Sequence, residues 1–102
     1  MSTMTLEEIN QDIHAMDEEL WHYEARYGLR TPYFYKLYKA GKLSDKDPTE
    51  ARDYSDWAGC YDIKQHREQL YDSMIRDTLE KAEVEQPISL ANLNLNSLPT
   101  AA

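Results

Sequence analysis

The chain has 102 residues, with 11 Lys and Arg against 19 Asp and Glu for a formal net charge of −8. That is about one small domain, without the basic face that a general nucleic-acid binder needs. No run approaches the ~18 to 20 apolar residues of a membrane span, the acidic N-terminal region lacks a signal-peptide pattern, and the single cysteine, Cys60, excludes an internal disulfide framework and fits a reducing cytoplasm.

The first helix is predicted over about residues 5–27. Thr5 and Glu8 have the spacing of a capping box, in which each side chain satisfies a backbone N–H of the other. Leu6, Ile9, Ile13, Met16, Leu20, Tyr23 and Tyr27 then alternate at three and four residues, the seam of a coiled coil or helical hairpin. Glu7, Glu8, Asp12, Asp17, Glu18 and Glu19 fill the other faces, so residues 1–27 carry a net charge of −6.

Gly28 stops this helix, and Thr31-Pro32 reads as an N-cap followed by a first-turn proline. A short second helix is predicted over about 32–40, ended by Gly41. Phe34, Leu37 and Tyr38 share one face and are expected to plug the end of the hairpin, which turns Tyr33, Tyr35 and Lys36 elsewhere. Residues 28–46 hold five basic side chains against Asp45, a local charge of +4 in an acidic chain.

Asp47-Pro48 repeats the cap-and-proline signal and opens a third helix over about 48–85. Tyr54, Trp57, Ala58 and Tyr61 form its first apolar stripe; Leu70, Tyr71, Met74, Ile75 and Leu79 form a second. Between them Lys64 to Glu68 is polar on every face and Gly59 is a poor helix residue, so a kink or break is expected near 59–66. At ~1.5 Å per residue this helix outreaches the first by roughly 20 Å. The second stripe therefore needs a cover: a second copy, a partner, or the tail folded back.

Valine and isoleucine total six residues and no segment alternates with period two, which excludes strands. The fold expected is all-α: an antiparallel hairpin of helices one and three, bridged by the short helix, with a flexible C-terminal tail. Residues 1–86 form a single helical domain in this reading. Residues 87–102 form an uncharged tail that spaces Ile88, Leu90, Leu93, Leu95 and Leu98 among Asn and Ser. Three readings of that tail stand: a frayed end, a peptide that docks on a partner, or a strap over its own hairpin.

Leu, Ile, Val and Phe make up only 18 of 102 residues, with eight tyrosines and two tryptophans supplying further bulk. A core this thin points to dependence on a partner, and a homodimer closing a four-helix bundle is the simplest solution.

Catalytic signals are weak. His14, Glu18 and His22 have a spacing at which helical side chains can share a metal, and Glu19 to His22 fits the Glu-x-x-His of di-iron bundles. No second copy of that motif exists, although Asp62 and His66 imitate half of one, and His14, Glu18 and His22 lie off the apolar seam. They read as a solvated face, and no metal or cofactor is expected. Cys60 has no histidine or aspartate at a nucleophile's spacing, and the three glycines are too far apart for a phosphate loop. The chain is read as no enzyme.

Tyr27-Gly28-Leu29, Phe34-Tyr35, Gly41-Lys42-Leu43-Ser44-Asp45, then Trp57-Ala58 and Tyr61 fall in an ordered series. The series resembles small acidic helical antitoxin-like proteins of bacterial and archaeal toxin–antitoxin modules, with their Tyr-Gly-Met, Phe-Tyr, Gly-Glu-Leu-Gly-Asp, Trp-Ala succession. Leu29 stands for the methionine, Lys42 for the acid and Ser44 for the glycine, over roughly residues 20–75. The resemblance implies an inhibitor of a small toxin. An acidic helical protein suits a basic nuclease, whose phosphate sites carboxylates can occupy. Partner contacts are then expected at the acidic face Glu7, Asp12, Asp17 and Glu18, at Tyr33, Tyr35 and Lys36, and at Leu90, Leu93 and Leu95 of the tail. The alternatives are a helical scaffold or oligomerisation protein, and a small RNA-binding module using the basic aromatic segment 30–42. No recognition helix with basic flanks is seen, so promoter binding is not expected.

Overall fold

A computed structural model describes residues 4–82 and 87–99. It is all-α: α1 spans Leu6–Tyr27, α2 Thr31–Lys39 and α3 Pro48–Ala82, followed by short 3-10 turns at Leu90–Leu93 and Leu95–Ser97. The last residues assigned to the third helix, 83–85, lie outside the described residues. The one β-type pairing among the described residues is an isolated antiparallel bridge between Thr5 and Pro99.

Local chemistry explains where the helices start and stop. Thr5 and Glu8 form the capping box: the Glu8 N–H donates to Thr5 Oγ1 at 3.2 Å and the Thr5 N–H to Glu8 Oε1 at 3.1 Å. Asp47 caps α3 by accepting from the Thr49 N–H at 2.9 Å, with Pro48 in the first turn. Gly28 at φ +70° and Gly41 at φ +68° take the left-handed turns that end α1 and α2.

The start of α2 differs from expectation. The N-cap position belongs to Arg30, whose side chain makes no capping bond, and Thr31 is already helical. The cap comes from α1 instead: Glu24 Oε2 accepts from the Thr31 N–H at 2.7 Å and from the Thr31 hydroxyl at 2.8 Å. A carboxylate is well placed there, at the positive end of the helix dipole.

The chain divides into two compact units, His14–Gln65 on one hand and Met1–Ile13 with His66–Ala102 on the other. Both long helices contribute to each. In the central unit, Leu20, Tyr23, Phe34, Trp57 and Ala58 form the buried core. Numbering falls along α3 as it rises along α1: Asp17 pairs with Lys64 at 2.7 Å, and Arg26 with Asp53 at 2.7 Å. The hairpin is therefore antiparallel. α2 closes it by turning Thr31, Phe34, Tyr35 and Tyr38 inward. This corrects two assignments. Leu37, expected in the plug, is 37% exposed, while Tyr35, expected to point away, packs on Tyr61 and hydrogen-bonds Asp62. In so short a helix, Thr31 rather than Leu37 completes the inward stripe because Trp57 Nε1–H donates to its hydroxyl at 3.0 Å.

In the terminal unit, Leu6 and Ile9 are fully buried. The Leu6 N–H, an orphan of the first helical turn, donates to the Leu98 carbonyl at 3.0 Å. Leu93, Leu95 and Leu98 are half-buried, as are Leu70, Tyr71, Met74 and Ile75 of the second stripe. Arg67 Nε donates to Asp12 Oδ2 at 2.9 Å. The expected break near 59–66 is absent: α3 is continuous there. Its polar segment is not idle surface, since Lys64 and Arg67 reach Asp17 and Asp12 of α1 within their respective units.

Candidate functional site

The four carboxylates expected to form one acidic face separate into two kinds. Glu7 and Glu18 are exposed. Asp12 and Asp17 are only partly exposed and are engaged by Arg67 and Lys64. Each of these two ion pairs joins α1 to α3.

The basic aromatic segment divides likewise. The Tyr35 hydroxyl donates to Asp62 Oδ1 at 2.5 Å, and Lys39 Nζ lies 5.2 Å from the Tyr35 ring centroid. The Asp62 hydrogen bond raises the Tyr35 pKa above its usual value, and the contact with Tyr35 raises that of Lys39. These two side chains serve the fold. The opposite face of α2 is open: Tyr33 is 68% exposed, Leu37 is 37% exposed, and the Lys36 side chain between them has no hydrogen-bond or ion-pair partner among the described residues. Arg30 extends this stripe, its side chain 80% exposed and only 3.5 Å from Glu24 through Nε.

On α1, Trp21 is 67% exposed on the face that also carries His14, Glu18 and Ala25. Among the described residues no group of three or more His, Cys, Asp or Glu side chains is placed to share a metal ion. Cys60 is half-buried, and burial, then the nearby charges of Glu19 and Asp56, push its thiol pKa up. That suppresses the thiolate a nucleophile requires. In the tail, Leu90 is 67% exposed, whereas Leu93 and Leu95 are half-buried.

One concave surface was not singled out by sequence. An open groove of about 690 Å³ runs along α3 in the terminal unit, lined by Gln69, Asp72, Ser73, Met74, Arg76, Asp77 and Glu80. Asp77 is paired with Lys81 at 3.0 Å, an exposed contact of small energetic weight. Asp72 and Glu80 are exposed and have no such partner among the described residues. The signal available in the sequence was a bias: residues 68–85 hold six acidic side chains against Arg76 and Lys81. The terminal unit as a whole carries nine carboxylates and three cations, a net −6 of the chain's −8, so the central unit with its basic stripe is nearly neutral.

Fold and surface together define an acidic helical hairpin with two exposed faces of opposite character. Compared with known families, curated proteins and solved structures, the chain matches none. No described helix is long and apolar enough to cross a membrane.

Proposed function

We propose that this protein is a cytoplasmic protein–protein interaction module without catalysis of its own, an antitoxin-like inhibitor that covers a basic partner such as a nuclease toxin. One observation carries the reading: the acidic groove of α3, where Asp72 and Glu80 stand exposed beside Met74 in a unit of net charge −6. The carboxylates of the groove outnumber its one lining cation, Arg76, and a net acidic surface beside an apolar side chain suits a lysine- and arginine-rich partner. The charge accelerates encounter, and the apolar contact prolongs the complex. The toxin aspect rests on the sequence resemblance alone.

Co-expression with the product of the neighbouring gene tests it. A basic neighbour that co-purifies, and whose association slows when Asp72 and Glu80 are both replaced by lysine, supports the reading. The loss should be greatest at low salt, where exposed charges are least screened. Unchanged association in that variant, with the fold intact by circular dichroism, sinks it.

A further inference from the structure

Tyr33, Lys36 and Leu37 stand exposed on the open face of α2, and the function proposed above assigns the basic partner to the α3 groove. This α2 stripe presents Arg30, Tyr33, Lys36 and Leu37 on one face of a helix, cations interleaved with apolar side chains. Its segment, residues 28–46, has a charge of +4. A surface of that kind fits a net acidic groove with an apolar member, and this chain carries one: Asp72, Asp77 and Glu80, against the single lining cation Arg76, beside Met74. We infer that the α2 stripe docks in the α3 groove of a second copy of this chain.

The two surfaces belong to different compact units, so each copy offers one of each. A dimer that uses both surfaces exchanges identical contacts, residue i of one copy against residue j of the other and the reverse, the isologous arrangement. Each contact engages about one short helix, so the pair falls at the small, transient end of the interface range, and its affinity should be micromolar. Charge supplies register: Lys36 and Arg30 reach carboxylates, while Tyr33 and Leu37 lie against Met74. The occupied groove is the one assigned above to a basic partner, so the inference rests on that reading of the groove as a site for cationic surfaces. Partner and second copy then compete for it.

Charge exchange provides the test, with the full chain, by sedimentation velocity from about 5 to 200 µM. The wild-type protein should associate with concentration and dissociate as salt rises from about 50 to 500 mM. Lys36→Glu alone and Asp72→Lys alone should each weaken association by about tenfold or more, because like charges then meet in both symmetric contacts. Mixing the two variants should restore it, since in the mixed pair both contacts again join opposite charges. Circular dichroism confirms that each variant keeps its helices. A wild-type protein that stays monomeric throughout overturns the inference, as does association indifferent to both substitutions or unrestored by mixing. If the wild type is monomeric and a short RNA binds in a Lys36-dependent, salt-sensitive manner, nucleic acid takes the place of the second copy. A wild type that shows no self-association while still binding the basic partner refutes this inference and leaves the inhibitor reading standing.

Discussion

Phe34 lies flat on Trp57, ring centroids 3.7 Å apart and planes within 2° of parallel. Both residues are 1% exposed. The stack joins α2 to α3, and Tyr23 and Tyr27 of α1 lie nearly parallel to the same indole at 5.7 and 5.9 Å. Trp57 is thus the point where all three helices of the central unit meet. A chain with one phenylalanine and one valine builds its core from tyrosine and tryptophan, whose polar ends must then be satisfied.

Truncating that stack should be costly. Phe34→Ala removes a fully buried ring and leaves a cavity against Trp57, for a loss of roughly 3–5 kcal/mol by urea denaturation. Phe34→Leu keeps most of the volume and should lose distinctly less. A loss below about 1 kcal/mol for the alanine variant would mean that α2 does not close the hairpin through this contact.

The polar end of the same tryptophan predicts a second effect. Trp57 Nε1–H donates to Thr31 Oγ1, whose own hydroxyl donates to Glu24. Thr31→Val conserves shape but orphans the Trp57 indole N–H and removes one of the hydrogen bonds to Glu24, which keeps the backbone N–H, at about 1–3 kcal/mol. Thr31→Ser keeps the hydroxyl and should retain most of the stability. Equal losses for the two variants in thermal melts would assign the effect to packing by the methyl group instead.

Acid should weaken the central unit in a defined direction. Burial alone would raise the Glu24 pKa, but the Thr31 backbone and hydroxyl bonds and the Arg30 charge hold it below its ordinary 4.5. The Tyr27 hydroxyl and then Arg26 hold Asp53 below 3.8. The unfolded chain therefore binds these protons first. Their stabilisation is complete above the ordinary carboxylate range and is lost as pH falls through it toward the lowered values. Tyr27 is raised to about 12, chiefly by its bond to Asp53. Its contribution is intact below pH 10, the ordinary value, and is lost as pH rises from there to about 12. Melting temperatures across both limbs check this. Glu24→Gln should flatten the acid limb, and Tyr27→Phe the alkaline one.

Signals confined to a few residues were legible in the sequence, as Thr5 with Glu8 and Asp47 with Pro48 illustrate. The long seam from Leu6 to Tyr27 announced the hairpin because its period repeats often enough to be unambiguous. The cap of α2 was not legible: its acceptor, Glu24, lies seven residues back across the Gly28 turn, and nothing in Thr31-Pro32 points to it. A helix of nine residues has too few turns to fix its inward face, so Leu37 and Tyr35 changed places. The candidate surface was obscured for another reason. Composition counts carboxylates but does not say which are engaged: Asp12 and Asp17 are, and among the described residues Asp72 and Glu80 have no ion-pair partner.

The two tryptophans report separately on core and surface. Trp57 is 1% exposed and Trp21 67% exposed. Trp21→Phe should leave blue-shifted emission resistant to iodide quenching, and Trp57→Tyr should leave red-shifted, readily quenched emission. Similar accessibility of the two residues would contradict this division between core and surface.

The tail supplies the last test. A frayed end or a peptide reserved for a partner could be removed with little effect on melting. The contacts of the terminal unit predict otherwise: Leu98 accepts the Leu6 N–H, Thr5 pairs with Pro99, and Leu93, Leu95 and Leu98 are half-buried beside an α1 end where Leu6 and Ile9 are sealed from water. Removing residues 88–102 re-exposes an apolar stretch of α1 and orphans a backbone donor in its first turn. Partial exposure of two aliphatic side chains and loss of one hydrogen bond amount to about 1–3 kcal/mol, offset in part by the chain entropy regained. The truncated protein should melt lower and exchange the Leu6 and Ile9 amides faster, while the amides around Trp57 stay protected. Leu98→Ala separates side-chain cover from backbone pairing. It keeps the carbonyl that accepts from Leu6 and the N–H that donates to Leu95 at 3.2 Å but removes most of the side chain, so its melting temperature should fall between those of the parent and the truncation. A truncation that melts with the parent and leaves Leu6 protected would return the tail to the role of a free, partner-seeking segment.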